Sequence, residues 1–552
     1  MTRKKNRSGS YQAGNTAASQ SALPLAIQSD DHLTISELET WLWDAACVIR
    51  GTADAPKYKD FILPLIFYKR LSDVFDDEFQ QYVELYGGEE LAYQIILADH
   101  QQALLEGRQP IVRFLIPDEY RWSKLRNHGA DGRLGEFVTE AMRTVADKNP
   151  PLRGVLDVKD YNERQSGQRT LDDNRLAALI EIISRHRLGL HNAEPDILGR
   201  TYEYLLRKFA EGQGQSAGEF YTPKEVGWLI ANLINPRPQS TIYDPTCGSG
   251  GLLIKARMYY EEHNEDKAKA PKLFGQELNS VTFAMAKMNM FLHDYTDASF
   301  AIGDTFTNPG FGAKGSGLQK FDYVVANPMW NQDVYEESFY EHDSWERFTH
   351  FGIPPRSSAD WGWLQHIYAS LNTSGCAVVV LDTGAVSRGS GSKSSNRERD
   401  IRKRFVEEDV IECVILLPEN LFYNTTAPGV VILLNRDKPT ERKNQILLIN
   451  ASNYFVKRKP KNELTSDGIT AIADAHRNWE TQEKLSRVIS LEEARNADYN
   501  LSPSHFISVD TENVYRPVSA ILADLAEAKA HREEADIVLQ QNLSKLVLFE
   551  EI

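Results

Sequence analysis

The sequence predicts an α/β fold: a parallel, doubly wound sheet preceded by a helical domain and followed by a helical tail. Three observations predict it. Short β-type runs alternate with helical stretches from residue 196 to about 440, the pattern of a parallel sheet whose crossovers are helices. Acids stand at the ends of successive runs, at Asp244, Glu277 and Asp304, where ligand crevices of such sheets lie. Residues 31–195 carry helical spacing instead of alternation.

In chain order, residues 1–30 are rich in Ser, Ala, Gln, Gly and Thr and read as a disordered tail. Ser36-Glu-Leu-Glu opens a helix with a capping signal, and Leu38, Trp41, Leu42, Ala45 and Val48 fall on one face. Phe61–Leu71, Glu89–Leu105 and Leu171–His186 continue a helical domain over 31–195. After a Gly/Gln-rich loop, Thr222, Pro223 and Glu225 read as N-cap, N1 and N3 of a further helix. Strands follow at Thr241–Tyr243, Leu273–Gln276, Phe300–Ile302, Tyr323–Ala326, Ala377–Leu381, Val410–Leu417 and Gly429–Leu434. The catalytic unit is assigned to 196–480 and a C-terminal tail to 481–552. That tail ends in an amphipathic helix over Val518–Leu548 with Ile521, Leu522, Leu525, Ala528, Ile537 and Leu543 on one seam. The seam suits either a partner or the chain's own core.

Composition narrows the function. At 552 residues, with 41% hydrophobic and 25% charged side chains, the chain is globular and suits two to four domains. No apolar run approaches the ~18 residues of a membrane span, and the basic start lacks a following apolar stretch, so no secretory signal is expected. Cys47, Cys247, Cys376 and Cys413 are scattered without CxxC pairing and the 13 His residues show no ligand spacing. A reducing cytoplasmic setting without metal or disulfides is predicted. The formal charge is −16, so a polyanion must be held by local basic patches or through another subunit.

The chemistry lies in four segments. Ile242-Tyr-Asp244-Pro245-Thr246-Cys247-Gly248-Ser249-Gly250-Gly251 runs from a strand through a small-residue turn into a helix. Gly248 and Gly250 let a ligand approach the backbone, and the helix start offers N–H groups. The third Gly of GxGxxG is replaced by Leu253, so the turn is no dinucleotide fingerprint, and a purely structural turn fits it equally. Asp244 suits a ligand with a cationic or amino group. Glu277 ends the next strand, where a carboxylate accepts from ribose hydroxyls; Asp304 ends another. Either acid alone also reads as a helix cap. Last, Phe321–Ala326 runs into Asn327-Pro328-Met329-Trp330. An exocyclic aromatic amine is a poor nucleophile because its lone pair is delocalised. Acceptors on its two hydrogens, the Asn327 side-chain oxygen and the Pro328 carbonyl, draw the nitrogen towards tetrahedral geometry. Trp330 can then stack on a base flipped out of the duplex. By itself the tetrapeptide is also an ordinary Asn-Pro turn beside a core Trp; four such signals in order favour the ligand reading.

These segments, with Gly218-Glu-Phe220-Tyr221-Thr222-Pro223, Leu417-Pro-Glu-Asn-Leu-Phe-Tyr-Asn-Thr-Thr-Ala-Pro-Gly and Tyr499-Asn-Leu-Ser-Pro, resemble the ordered motifs of amino-group DNA methyltransferases. The layout over roughly 34–510 is similar to the methylation subunit of type I restriction–modification systems. The resemblance implies a Rossmann-like sheet that uses S-adenosylmethionine (SAM) to methylate adenine N6. It places Phe220, Tyr221, Thr222, Asp244, Thr246 and the Gly248-Ser249-Gly250 turn around the methionine end of the cofactor, Glu277 on the ribose and Asp304 on the cofactor's adenine. Asn327, Pro328 and Trp330 form the target pocket. Met329 stands where the family usually has a second Pro. Asn rather than Ser at the head of the tetrapeptide favours adenine over cytosine.

The resemblance also implies double-stranded DNA as substrate and a separate specificity subunit joined by two methylation subunits. A restriction subunit can join as well; GxxxxGK[ST] is absent here, so this chain is not expected to be the motor. Two other readings remain: a protein glutamine-N5 methyltransferase, or a catalytically weak scaffold that binds DNA or SAM. Cys247 reads as a packing residue and Trp361-Gly-Trp363 as core. Arg388–Arg404 and Lys457-Arg-Lys-Pro-Lys are basic stretches that suit either a DNA backbone or a solvated surface.

Overall fold

The computed structural model describes residues 33–509, apart from short internal stretches of which 206–221 is the longest, and scattered positions over 522–537. The tail at 1–30, Phe220, Tyr221 and most of the helix expected over Val518–Leu548 lie outside the described residues. The helical positions described in that last helix include Leu522, Leu525 and Ile537, all exposed.

Helices α1 (Ile35–Val48), α2 (Tyr58–Tyr86), α3 (Glu89–Glu106), α4 (Trp122–His128), α5 (Leu134–Lys148) and α6 (Asp173–Ile183) build the N-terminal domain. The cap of α1 is Thr34, reciprocally bonded with Glu37; the sequence signal at Ser36 is displaced by two residues. Both Thr34-x-x-Glu37 and Ser36-x-x-Glu39 contain a capping acid, and the upstream pair lets Leu38 and Trp41 enter the core together. The helical core continues beyond residue 195 through Ile197, Leu198, Tyr204 and Leu205.

The second unit is a nine-stranded sheet. Its strands are β1 (Thr241–Asp244), β2 (Lys272–Glu277), β3 (Ser299–Ile302), β4 (Phe321–Ala326), β5 (Leu371–Asp382), β6 (Ile411–Leu416), β7 (Gly429–Asn435) and β8 (Gln445–Asn450). The last is β11 (Ser486–Ser490), after a small hairpin of β9 (Phe455–Val456) and β10 (Glu463–Leu464). The order across the sheet is β11-β8-β6-β7-β5-β4-β1-β2-β3. From β1 the chain builds outward to β2 and β3, then returns to place β4 on the other side, so the switch point lies between β1 and β4. Helices α7 (Lys224–Ile234), α8 (Gly251–His263), α9 (Ser280–Leu292), α10 (Asp360–Ser370), α11 (Arg397–Glu407) and α12 (Ser466–Asn478) complete the unit.

Two features correct the sequence reading. The sheet is not wholly parallel: β7 runs against β5 and β6, and β11 against β8. The β6–β7 connector carries no helical pattern, so it closes a hairpin where a parallel neighbour would need a crossover helix. The boundary at 480 also fails, because β11 pairs with β8 and the Tyr499–Ile507 segment packs into the sheet's core. Strand β11, Ser-Arg-Val-Ile-Ser, is short and half-buried at an edge, and so leaves little pattern.

Helix α9 belongs to both units. Ala286 and Met290 pack against the sheet, whereas Met285, Met288 and Leu292 join the helical core. Phe291 meets Phe114 with ring centroids 5.4 Å apart. Among the described residues no helix is long and apolar enough to cross a membrane.

Candidate active site

The turn after β1 is held by its own backbone. Thr246 N donates to Asp244 Oδ1 at 2.9 Å, and Cys247 N to Gln276 O of β2 at 2.9 Å. Gly248 and Gly250 have φ of +55° and +83°, and a Cβ on Gly250 would lie 2.7 Å from Met290 Cε. Only glycine meets both demands at 250 without strain.

Three carboxylates close successive strands around a cavity of about 490 Å³ lined by Asp244, Gly248, Glu277, Asp304 and Asn327 among others. Glu277 accepts from Gly248 N at 3.0 Å and Asn279 N at 2.7 Å. Asp304 accepts from Phe306 N at 2.9 Å, from Thr307 Oγ1 at 3.0 Å and from the Tyr335 hydroxyl. The loop after β3 is fastened to the first turn by Thr305 Oγ1 on Pro245 O at 2.6 Å. Arg347 braces it from below, donating to Thr305 O at 3.1 Å and Phe306 O at 2.5 Å while paired with buried Asp343.

Burial sets the electrostatics. Asp244 is 1% exposed, and loss of water lifts its carboxyl to about 8, opposed by its bonds from Thr246 and reinforced by Glu277. Burial also raises Glu277. The Cys247 thiol is pushed well up by burial and by both acids, which suits the packing residue expected and removes any thiolate chemistry.

Asn327 follows β4, beside Asp244 at the switch point. Its Nδ2 donates to Thr222 Oγ1 at 2.9 Å and its Oδ1 accepts from Trp330 Nε1 at 3.2 Å. An indole N–H can only donate, so the atom facing it is the amide oxygen and the side chain has one orientation. Two expectations change here. Thr222 does not cap α7, whose N-cap is Pro223 without a side-chain bond; its hydroxyl serves Asn327. Trp330, expected to stack on the base, is 8% exposed, packs edge-on against Phe422 at 4.7 Å and is not among the residues that line the cavity. The tight turn carries its large ring inward, and Met329 borders the cavity instead.

The predicted residues Thr222, Asp244, Thr246, Gly248, Ser249, Glu277, Asp304 and Asn327 therefore meet around one cavity. Gly250 shapes the turn from behind. Sequence reasoning missed Thr282 and Met285 on α9, and Gln332, Tyr335 and Trp363 beyond the tetrapeptide. None sits in a motif. Of the Trp361–Trp363 pair, Trp361 is core as expected, whereas Trp363 packs on Phe306 at 4.3 Å and borders the cavity.

The chemistry of this lining fits SAM: carboxylates for an ammonium group, for vicinal hydroxyls and for an aromatic amine, with close backbone approach at Gly248, where a Cβ would meet nothing within 4 Å.

Comparison with known proteins agrees. The profile of the N-6 DNA Methylase family matches residues 193–514, and that of the HsdM N-terminal domain matches 38–183. The MjaVIII methylase subunit of a type I restriction enzyme from Methanocaldococcus jannaschii is 35% identical over 90% of this chain and 84% of its own. The HindI methylase subunit from Haemophilus influenzae is 30% identical over 78% and 99%. A crystal structure of a type I restriction–modification methyltransferase subunit from Streptococcus thermophilus superposes with a TM-score of 0.68, at 28% identity, covering 86% of this chain and all of that one. The chain belongs to the N-6 DNA methylases, and among them to the adenine-N6 methylase subunits of type I restriction enzymes.

Proposed function

We propose that the cavity holds SAM and that Asn327 presents an extruded adenine to it. Asp244, near the turn of Thr246, Gly248, Ser249 and Gly250, faces the methionine end, with Phe220, Tyr221 and Thr222 bordering it. Glu277 accepts from the ribose hydroxyls and Asp304 from the cofactor's adenine amine. When bound, the cofactor supplies an electrophilic methyl group on a sulfonium.

The chain's own part is positioning. Asn327 Oδ1 retains a lone pair beyond the one used by Trp330. That lone pair and the Pro328 carbonyl accept the two N6 hydrogens of the target. The amine then points its lone pair away from both acceptors, towards the donor half of the cavity. Partial positive charge growing on N6 meets the dipoles of both carbonyls. Trp330 thereby becomes a positioning residue, and Thr222 a second one. The catalytic unit spans about 196–507, and the helical domain with the C-terminal helix supplies docking surfaces. Two copies join one specificity subunit that reads double-stranded DNA, and a restriction subunit joins that assembly.

The observation that carries the reading is the amide of Asn327, fixed in one orientation at the switch point beside a buried carboxylate. The test is to sequence DNA modifications in the host with the native chain and with Asn327→Ala. N6-methyladenine should vanish from one sequence motif while the protein stays folded; its persistence there would refute the assignment.

A further inference from the structure

We propose that the β9–β10 hairpin is a clamp for DNA phosphates next to the extruded adenine, with Lys457, Arg458 and Lys459 as its ligands. The inference rests on Asn327 as the adenine pocket, and it assigns a surface that the pocket itself does not include.

The two basic stretches of the chain differ in what remains of their charge. In Arg388–Arg404 each arginine has a partner in the fold, Arg388 and Arg402 with buried ones and Arg397 and Arg404 at the surface. Arg388 pairs with Asp360, with Asp382 at 2.9 Å and with Glu398 at 2.7 Å. Arg397 pairs with Glu337 at 2.8 Å, and Arg399 donates to Ser392 O at 3.0 Å. Arg402 is fully buried on Tyr499 O and Ala385 O, and Arg404 donates to His350 O at 3.2 Å. In the hairpin, Lys457, Arg458 and Lys459 are all exposed. Lys457 and Lys459 make no hydrogen bond or ion pair among the described residues. Arg458 meets Glu463 at 2.9 Å on the surface, an exposed pair of little net worth that a phosphate can replace.

Placement is the second observation. Strand β8 is parallel to β6, and β6 is parallel to β5 because both oppose β7. Their carboxyl ends therefore lie on the rim that carries Asp244 and Asn327, and the hairpin rises from that rim directly after β8. Its base is fastened to the β6–β7 connector. Asn462 N donates to Asn420 O at 2.9 Å, and Asn462 Nδ2 to Glu419 O at 3.0 Å. Lys461 Nζ reaches Thr425 O at 2.9 Å. The same connector carries Phe422, which packs on Trp330, which holds Asn327. These contacts link the hairpin to the pocket, while Lys457 and Lys459 stay unpaired among the described residues and Arg458 is held only by its surface pair with Glu463. In a chain of net charge −16, cations exposed on the catalytic rim suit the phosphates flanking a flipped base.

The test uses the assembled complex with its specificity subunit. K457Q/R458Q/K459Q is compared with K267Q/K269Q/K272Q, which removes the same charge from exposed residues at the opposite rim, at the start of β2 and just ahead of it. Binding of duplex carrying the methylated motif is measured by fluorescence anisotropy between about 50 and about 200 mM salt. The hairpin variant should bind DNA at least tenfold more weakly, with the slope of log K against log salt reduced by ~0.9 for each phosphate lost. SAM binding by calorimetry and subunit assembly should be unchanged, and K457R/K459R should bind as the native complex does. An unchanged slope would overturn the clamp. So would failed assembly with a native slope, which makes the hairpin a protein contact. A reduced slope in a complex that methylates no adenine would uphold the clamp and overturn the pocket.

Discussion

Asp244 and Asn327 end neighbouring strands of one sheet, yet in the function proposed the two halves of the rim work by opposite means. The donor half gathers Asp244, buried away from water, and the half-buried carboxylates Glu277 and Asp304. The acceptor half carries a neutral amide, and its precision comes from two hydrogen bonds, to Thr222 and from Trp330. In the function proposed, the difference follows from the ligands. A sulfonium amino acid with hydroxyls and an aromatic amine is recognised by charge and by acceptors. An amine that must keep its lone pair for reaction needs acceptors that do not protonate it, so dipoles replace charges there.

The largest effect should come from breaking the neutral half. Asn327→Ala should lower kcat by roughly 10²–10³-fold while leaving SAM affinity within about twofold, because the donor half is untouched. Steady-state methylation and calorimetry on the same preparation would check this split. A fall confined to KM for SAM would mean that the halves are not separate.

The charged half breaks next. Asp244→Asn should weaken SAM binding at least tenfold, a loss of about 1.4 kcal/mol or more. It should also remove a pH dependence. With its carboxyl near 8, Asp244 holds a proton at neutral pH, and a cationic ligand binds the deprotonated form, so native affinity should rise from pH 6.5 to 8 and then level. Stability runs the other way. The folded pKa lies above the unfolded value of about 3.9, so this group's contribution is fully present below that value and is lost as pH rises through about 8. The variant should flatten both profiles, in calorimetric titration and in thermal melts.

Two smaller changes sharpen the contrast. Trp330→Phe keeps an aromatic ring against Phe422 but removes the N–H. About 1 kcal/mol of positioning should be lost as a roughly fivefold drop in kcat with unchanged SAM affinity, readable in single-turnover kinetics. Tyr335→Phe releases one donor from Asp304 and should raise the SAM Kd about threefold with kcat unchanged. Equal effects of both variants on kcat would blur the boundary.

The residues that were legible in the sequence are those whose neighbours in the chain impose their place. An apolar strand followed by Asp-Pro-Thr-Cys-Gly-Ser-Gly allows little but a turn at a strand end, and the same holds for Glu277, Asp304 and Asn327. The orientation of β7 was legible in principle, since Leu417–Pro428 offers no crossover helix. What could not be read depends on contacts between distant segments. Thr222 looks like a helix cap until Asn327, 105 residues later, claims its hydroxyl. Trp330 looks like a stacking platform until Phe422 and Gly429 show the pocket that takes its ring. Tyr335 and Trp363 reach the cavity only because Arg347 and the Phe306 cluster fold that stretch back over the rim. The arginines of 388–404 likewise advertise a nucleic-acid surface in sequence, and only the fold shows Asp360, Asp382 and Glu398 taking up Arg388.

In the function proposed, charge binds the donor and dipoles present the acceptor on adjacent strands of one rim. A structure of the assembled complex with its DNA motif and the unreactive SAM analogue sinefungin tests it most directly. The expected result is an adenine turned out of the duplex, its N6 within about 3.2 Å of Asn327 Oδ1 and of the Pro328 carbonyl, and the analogue's ammonium end beside Asp244. An adenine still stacked in the duplex with the analogue bound, or the analogue lodged away from Asp244, would contradict it.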